Sequence, residues 1–85
     1  MPEITMYTTE WCGWCNRAKS LLRSKGIEEW TEINVDELPG GRAELAERTG
    51  GTTVPQILVD DHHVGGFDAL AALDRTGELD RLLEP

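Results

Sequence analysis

The pair of cysteines at positions 12 and 15 constrains this sequence more than any other feature. Cys12 and Cys15 are its two cysteines, and they follow residues 3–8, which alternate in polarity and are rich in strand formers. Apolar residues then recur at helical spacing over 13–25, and Gly26 ends that pattern. The sequence therefore predicts a strand, a short loop and a helix, with the first cysteine at the helix N-terminus and the second one turn further.

This placement suits thiol chemistry, because the free N–H groups and the dipole of a helix N-terminus favour an anion. An ordinary thiol with a pKa of about 8.5 is only about 3% thiolate at pH 7. Lowering that pKa to about 6 gives about 90% thiolate, but nucleophilicity falls about 10- to 18-fold, so the larger gain is as a leaving group. We therefore predict Cys12 as the attacking thiol, and Cys15, on the apolar side of the helix, as the more buried resolving thiol.

Two other interpretations of the cysteine pair are weaker. Structural zinc needs a second pair of ligands, and His62 and His63 are neighbours in a predicted strand, so they point to opposite faces. An inert pair of cysteines does not explain the flanking aromatic residues Trp11 and Trp14. We therefore expect no metal site of this kind.

The rest of the chain predicts the order β-α-β-α-β-β-α. The first β-α-β unit is long enough for a right-handed crossover between parallel strands, and a tight turn at Asp60-Asp61 makes the last two strands antiparallel. In the second helix we expect Ala43, Leu45 and Ala46 to face the core. The later elements are predicted at 29–35, 41–49, 54–59, 62–64 and 67–84, the last with a break at Gly77.

Length and charge narrow the class of protein. With 85 residues, a single domain spanning 1–85 is expected. The formal net charge of −8 disfavours nucleic acid and anionic membranes as partners. The sequence has neither an apolar run of about 20 residues nor a basic segment before an apolar one, which predicts a cytoplasmic protein.

Half of the basic residues lie within 17–25, either as a solvated helix face or as a positive field beside the dithiol.

Three segments, taken in order, resemble the small bacterial dithiol glutaredoxins. The first is Tyr7-Thr8 before the cysteine pair, followed by Arg17-Ala18-Lys19 and Leu21-Leu22. The second is the threonine-valine-proline segment at 52–57, and the third is the glycine-glycine motif at 64–68. The resemblance implies an α/β thioredoxin fold, a four-stranded mixed sheet flanked by helices.

The resemblance also implies a glutathione site. A cis peptide before Pro55 would turn the backbone of Val54 toward the ligand, and the N–H groups of Phe67 and Asp68 would hold the γ-glutamyl carboxylate. The carboxylate of Asp68 would either cap its helix or pair with the ligand's ammonium group. The implied glutathione-binding residues are Trp14, Thr53, Val54, Pro55, Gly66, Phe67 and Asp68.

The sequence departs from the family pattern in three places. The motif is Cys-Gly-Trp-Cys where the family often has Cys-Pro-Tyr-Cys. Thr9 and Gly51 stand where many members carry basic residues that hold the glycine carboxylate of glutathione. Arg42, in the second helix, either belongs to a charged surface face, which we favour, or substitutes for them. Another thiol, such as mycothiol, is therefore an alternative ligand.

The function implied is glutathione-dependent reduction of protein disulfides and glutathionylated proteins by a monomer. An alternative, suggested by Gly13, is a dimeric carrier of a [2Fe-2S] cluster with Cys12 and an external thiol as ligands. A second alternative is a redoxin regenerated by thioredoxin reductase, against which Gly65 and Gly66 argue. The partners implied are glutathione or another small thiol and disulfide-bearing or glutathionylated client proteins.

Overall fold

The computed structural model describes residues 2–84 of the chain. Its four strands are β1 (Ile4–Thr8), β2 (Thr31–Asn34), β3 (Gln56–Val59) and β4 (His62–Gly65). Its helices are α1 (Gly13–Ser24), α2 (Gly41–Thr49), α3 (Phe67–Thr76) and α4 (Glu78–Leu83), and a short 3₁₀ helix spans Val35–Glu37. The predicted order of elements is thereby confirmed, with the last helical segment broken at Gly77, where φ is +83°.

The strands form one mixed sheet in the order β2-β1-β3-β4. Strand β1 runs parallel to β2 and antiparallel to β3, and β4 runs antiparallel to β3. Tyr7 lies opposite Ile33 on one side and Gln56 on the other. The central strands β1 and β3 therefore carry the dithiol loop and the Val54-Pro55 segment to the same end of the sheet, since they are antiparallel.

Apolar residues fill both faces of the sheet, because alternate residues of a strand point to opposite sides. Met6 lies on the face covered by α1, α3 and α4, whereas its neighbour Tyr7 lies on the face covered by α2. The larger cluster contains Ile4, Met6, Ala18, Leu22, Ile27, Ile57, Val59, Leu70, Leu79 and Leu83. The smaller one contains Tyr7, Val35 and Leu45. This is the sheet flanked by helices that the sequence implies.

Strand β2 is shorter than the predicted span of 29–35. It ends at Asn34, whose side-chain oxygen accepts a hydrogen bond from the N–H of Asp36 at 2.9 Å and so starts the 3₁₀ helix. Asn side chains commonly compete with the strand ladder in this way. Strand β3 likewise begins only at Gln56, after Pro55, which has no N–H to donate.

The expectation for α2 is wrong at one position. Ala43 is exposed, and Leu45 and Thr49 are the residues that this helix buries. Ala46 is half-buried. Alanine has no polar atom to mark a solvent-facing position, so the apolar pattern overstated the buried face. Among residues 2–84, no helix combines the length and the apolar character needed to cross a bilayer.

Candidate active site

The two cysteines lie at the start of α1 as expected. Cys12 is the N-cap residue, with extended backbone, and Cys15 lies in the first turn. Their Cα atoms are 5.2 Å apart and their sulfurs form a disulfide. The Cys12 sulfur accepts a hydrogen bond from the N–H of Cys15 at 3.1 Å. Cys15 is 1% exposed and Cys12 is half-buried, so Cys12 is the accessible member of the pair.

The segment before β3 faces the dithiol. The carbonyl oxygen of Val54 lies 3.9 Å from the sulfur of Cys12. The peptide bond between Val54 and Pro55 is cis, as the resemblance implied. The backbone of this segment therefore lies directly beside the accessible sulfur.

A cleft of about 370 Å³ opens on this side of the molecule. Its volume is within the range typical of small-molecule sites. Trp14 and Phe67 form one wall, with ring centroids 5.7 Å apart. The cleft is lined by Trp14, Thr53, Val54, Pro55, Gly66, Phe67, Asp68 and Ala69. The structure thus brings together all seven residues that the resemblance assigned to a glutathione site, and Ala69 is the lining residue that sequence reasoning missed.

The first residues of α3 form part of the cleft lining. The N-cap is Gly66, and no side chain caps the helix, so the interpretation of Asp68 as a capping residue is wrong. Asp68 instead occupies the first turn, where a carboxylate interacts favourably with the helix dipole. The first N–H groups of a helix have no intrahelical acceptor, so those of Phe67 and Asp68 are available to an anion.

Side chains fasten the irregular segment between α2 and β3. Thr49 Oγ1 accepts a hydrogen bond from the N–H of Gly51 at 3.1 Å, and Arg42 donates one to the carbonyl oxygen of Thr52 at 2.7 Å. Gln56 Nε2 donates to the carbonyl oxygen of Thr53 at 2.9 Å. Arg42 therefore binds the protein backbone and is not among the residues lining the cleft.

Comparison with known proteins decides the family. A family model described as Glutaredoxin matches residues 4–64. The chain belongs to the glutaredoxin family. A glutaredoxin of Pseudomonas aeruginosa is 54% identical over 83 residues, covering 98% of each chain. Glutaredoxin 3 of Escherichia coli K12 is 48% identical over 84 residues, covering 99% of this chain and 100% of that relative.

A solved structure of the family has the same fold. The crystal structure of a buckwheat glutaredoxin–glutathione complex superimposes with a TM-score of 0.85 and 29% sequence identity, covering 96% of this chain and 76% of that one. The predicted thioredoxin fold is confirmed. With its cysteine pair at bonding distance in the family's motif, the chain is a thiol–disulfide oxidoreductase of the glutaredoxin type.

The basic residues on α1 of this glutaredoxin and at its C-cap mostly bind partners on the protein itself. Lys19 pairs with Glu32 at 3.0 Å, and Arg23 lies over the ring of Trp30. Lys25 pairs with Asp74 and Asp80, and these two carboxylates raise the pKa of its ammonium group. The structure therefore supports the charged helix face more than a positive field.

One basic residue of α1 does reach the cleft wall. The guanidinium of Arg17 lies 4.7 Å from the ring centroid of Trp14, an attractive cation–π contact. Trp11, by contrast, is 92% exposed and does not line the cleft. Among residues 2–84 there is no group of three His, Cys, Asp or Glu side chains able to hold a metal ion.

Proposed function

We propose that this glutaredoxin reduces glutathionylated proteins and protein disulfides through the Cys12-Cys15 dithiol, with glutathione as the reductant. One observation carries the proposal. The residues implied as glutathione contacts converge on a single cleft, and Val54 in its wall lies 3.9 Å from the Cys12 sulfur. The buckwheat glutaredoxin of the same fold is described in complex with glutathione, which supports glutathione as the ligand.

Glutathione is a small peptide with two carboxylates, an ammonium group and a thiol, and the cleft suits each part. The backbone at Val54 offers an N–H and a C=O to the peptide, as an added strand would. The first N–H groups of α3 suit the γ-glutamyl carboxylate, and the carboxylate of Asp68 suits the neighbouring ammonium. Trp14 and Phe67 cover the apolar part of the ligand.

Removal of glutathione from a protein needs only Cys12. Its thiolate attacks the glutathione sulfur of the mixed disulfide, a new sulfur–sulfur bond forms to Cys12, and the client cysteine leaves as a thiolate that takes a proton from solvent. A second glutathione thiolate then attacks the glutathione sulfur bound to Cys12. Oxidised glutathione forms, and Cys12 leaves as a thiolate stabilised by the helix N-terminus and by the N–H of Cys15.

Reduction of a protein disulfide uses both cysteines. Cys12 attacks one client sulfur and releases the other as a thiolate, leaving a mixed disulfide between enzyme and client. Cys15 loses its proton and attacks Cys12, so the client departs reduced and the Cys12–Cys15 disulfide remains. Two glutathione molecules return the enzyme to the dithiol and are themselves oxidised to the disulfide.

The test compares glutathione and mycothiol mixed disulfides of one peptide as substrates of the purified protein. We expect kcat/KM to be higher for the glutathione mixed disulfide. The same rates should be measured for Cys12→Ser as the inactive control. A clear preference for the mycothiol substrate would overturn the assignment of glutathione, while inactivity with both thiols would overturn the whole proposal.

The remaining predictions accompany this proposal: a single domain spanning 1–85, a monomer, and action on cytoplasmic client proteins. The iron–sulfur alternative stays a prediction, and it needs ligands from outside this chain because residues 2–84 hold no group of three potential ligands. Visible absorbance of protein purified without oxygen tests that alternative. NADPH oxidation coupled through glutathione reductase or thioredoxin reductase tests which system regenerates the dithiol.

A further inference from the structure

Gln56 is a buried polar residue beside the cleft, and both the nitrogen and the oxygen of its amide have hydrogen-bond partners. The residue is 4% exposed. Its amide nitrogen donates to the carbonyl oxygen of Thr53 at 2.9 Å and lies 3.3 Å from Thr53 Oγ1. Its amide oxygen accepts from Nε2 of His63 at 2.7 Å. A buried amide that keeps its partners fixes the groups that it joins.

Thr53 and His63 hold the two ends of the Gln56 amide. Because the Gln56 Oε1 atom is an acceptor, His63 must carry its hydrogen on Nε2. The carbonyl oxygen of Thr53 can only accept, so it fixes Gln56 Nε2 on its side and leaves Oε1 to accept from His63. His62, the preceding residue of β4, makes no side-chain hydrogen bond within residues 2–84, so it serves as a matched control.

Gly51 supplies the space that this amide occupies. A Cβ atom built on Gly51 would lie 2.5 Å from Gln56 Nε2 and 2.9 Å from its Cδ atom. The backbone of Gly51 is not in the left-handed region, so a larger residue there is opposed by the Gln56 side chain and not by the backbone conformation. Any larger residue at position 51 displaces the amide from Thr53.

Thr53 connects the hydrogen bonds of Gln56 to the cleft. It lies in the irregular segment before β3, and it lines the cleft next to Val54. A shift of the Thr53 carbonyl turns the peptide plane that joins Thr53 to Val54, and with it the Val54 N–H. Gln56 itself does not line the cleft, so any effect on the ligand passes through Thr53.

We propose that Gln56, oriented by His63 and accommodated by Gly51, is a positioning residue that sets the Thr53–Val54 backbone for the bound thiol peptide. The proposal rests on the proposed function, because it concerns the affinity of that same cleft. Gln56 acts on the binding of the peptide part of the ligand, which is equally present before and during sulfur transfer. Its loss should therefore raise KM and leave kcat unchanged.

The experiment measures kcat and KM for the better of the glutathione and mycothiol mixed disulfides, at saturating reductant. Gln56→Leu removes every hydrogen bond of the amide, and Gln56→Glu keeps the acceptor for His63 while losing the donor to Thr53. We expect both to raise KM about 3- to 10-fold, the loss that one hydrogen bond implies. His63→Ala should raise KM by a smaller factor, and His62→Ala should leave it unchanged.

Gly51→Ala provides a second test of the proposal, since it displaces the Gln56 amide without removing it. It should raise KM as Gln56→Ala does, and the Gly51→Ala/Gln56→Ala double variant should be no worse than Gln56→Ala alone. Val59→Ala, a core change away from the cleft, controls for lost stability: it should lower the melting temperature with KM unchanged.

Three results would overturn the proposal: an unchanged KM in Gln56→Glu, equal effects of His62→Ala and His63→Ala, or an equal rise of KM in Val59→Ala. Failure of the proposed function gives a different result. In that case the wild-type protein itself prefers mycothiol or rejects both substrates, whatever the variants do. If both are rejected, the perturbation of the Val54 amide signal by Gln56→Glu, measured by NMR, decides the proposal. A Val54 signal that does not move would then overturn it.

Discussion

The backbone N–H of Cys15 donates a hydrogen bond to the sulfur of Cys12 over 3.1 Å. The second residue of the pair therefore supports the first through its backbone as well as through its thiol. The backbone contribution survives a change of the Cys15 side chain, whereas the resolving thiol does not. This separation allows the two cysteines to be tested independently.

Cys12→Ser should reduce both thiol-transfer activities to the background of the assay, because a hydroxyl is not ionised at neutral pH and forms no disulfide. The reduced variant should keep its melting temperature within about 3 °C of wild type, since Cys12 is not part of the core and such changes cost little. Activity assays and thermal unfolding check both statements. Near wild-type turnover would rule out Cys12 as the nucleophile.

Cys15→Ser should retain most deglutathionylation and lose most protein-disulfide reduction. The first reaction needs one enzyme thiol, while the second depends on intramolecular attack at high effective concentration. Both assays are run on the same preparation, with Cys15→Ala as a second variant because the site is 1% exposed. Equal losses in the two assays would mean that Cys15 acts only by supporting the structure.

Gly66→Asp should raise KM for the glutathione substrate by about 10-fold or more, because it places a carboxylate where an anionic group is expected to bind. A Cβ atom at Gly66 meets the Pro55 carbonyl oxygen at 3.5 Å, an ordinary contact. Gly66→Ala is thus the matched control and should change KM little. Similar KM values for the two variants would place the ligand's carboxylate elsewhere.

Glu32→Gln should lower stability at neutral pH by about 0.5 kcal/mol, a modest amount because the carboxylate is a partly exposed partner of Lys19. Burial raises the pKa of Glu32, but hydrogen bonds from Lys19 and Trp30 outweigh it and leave the pKa below 4.5. A lowered folded-state pKa stabilises the protein above the unfolded-state value, and this contribution disappears as the pH falls through the folded-state value.

Urea unfolding of wild type and Glu32→Gln between pH 7 and pH 3 measures this difference. It should be present at pH 7, shrink below about pH 4.5 and vanish at the acid end. Glu47→Gln, whose side chain has no ion pair within residues 2–84, should show no such trend. A difference between wild type and Glu32→Gln that persists unchanged at pH 3 would contradict the prediction.

The dithiol and the element order could be predicted from local residue patterns, whereas the residues of the cleft lining were implied only by the resemblance to the glutaredoxins. Cys12 lies between a segment with a strand pattern and a segment with a helix pattern. Pro55 and Gly66 are residue types that mark special backbone conformations. The three motifs lie far apart in the chain, but the antiparallel pairing of β1 with β3 brings two of them together. Their meeting at one cleft follows from the topology that the resemblance implied.

Other features depend on tertiary partners that no local pattern specifies. The pattern of basic residues at 17–25 favoured a solvated helix face over a positive field, but the ion pairs of Lys19 with Glu32 and of Lys25 with Asp74 are visible only in the folded structure. Arg42 reaches a backbone carbonyl of the neighbouring segment, an interaction with no sequence signature. Ala43 was misplaced because alanine occurs on buried and exposed helix faces alike.

Helix α2 contributes no residue to the cleft lining, but its last residue, Thr49, holds the segment that leads to the cleft. It buries only Leu45 and Thr49, and its N-cap residue is a glycine without a capping side chain, whereas α1 buries Cys15, Ala18 and Leu22. Its amide hydrogens should therefore exchange with solvent sooner than those of α1. Because Thr49 holds Gly51, we expect each local opening of α2 to loosen the segment that leads to Thr53 in the cleft lining while the dithiol stays folded. We therefore expect the segment that leads to the reductant's binding site to open more often than the helix that carries the reactive sulfur.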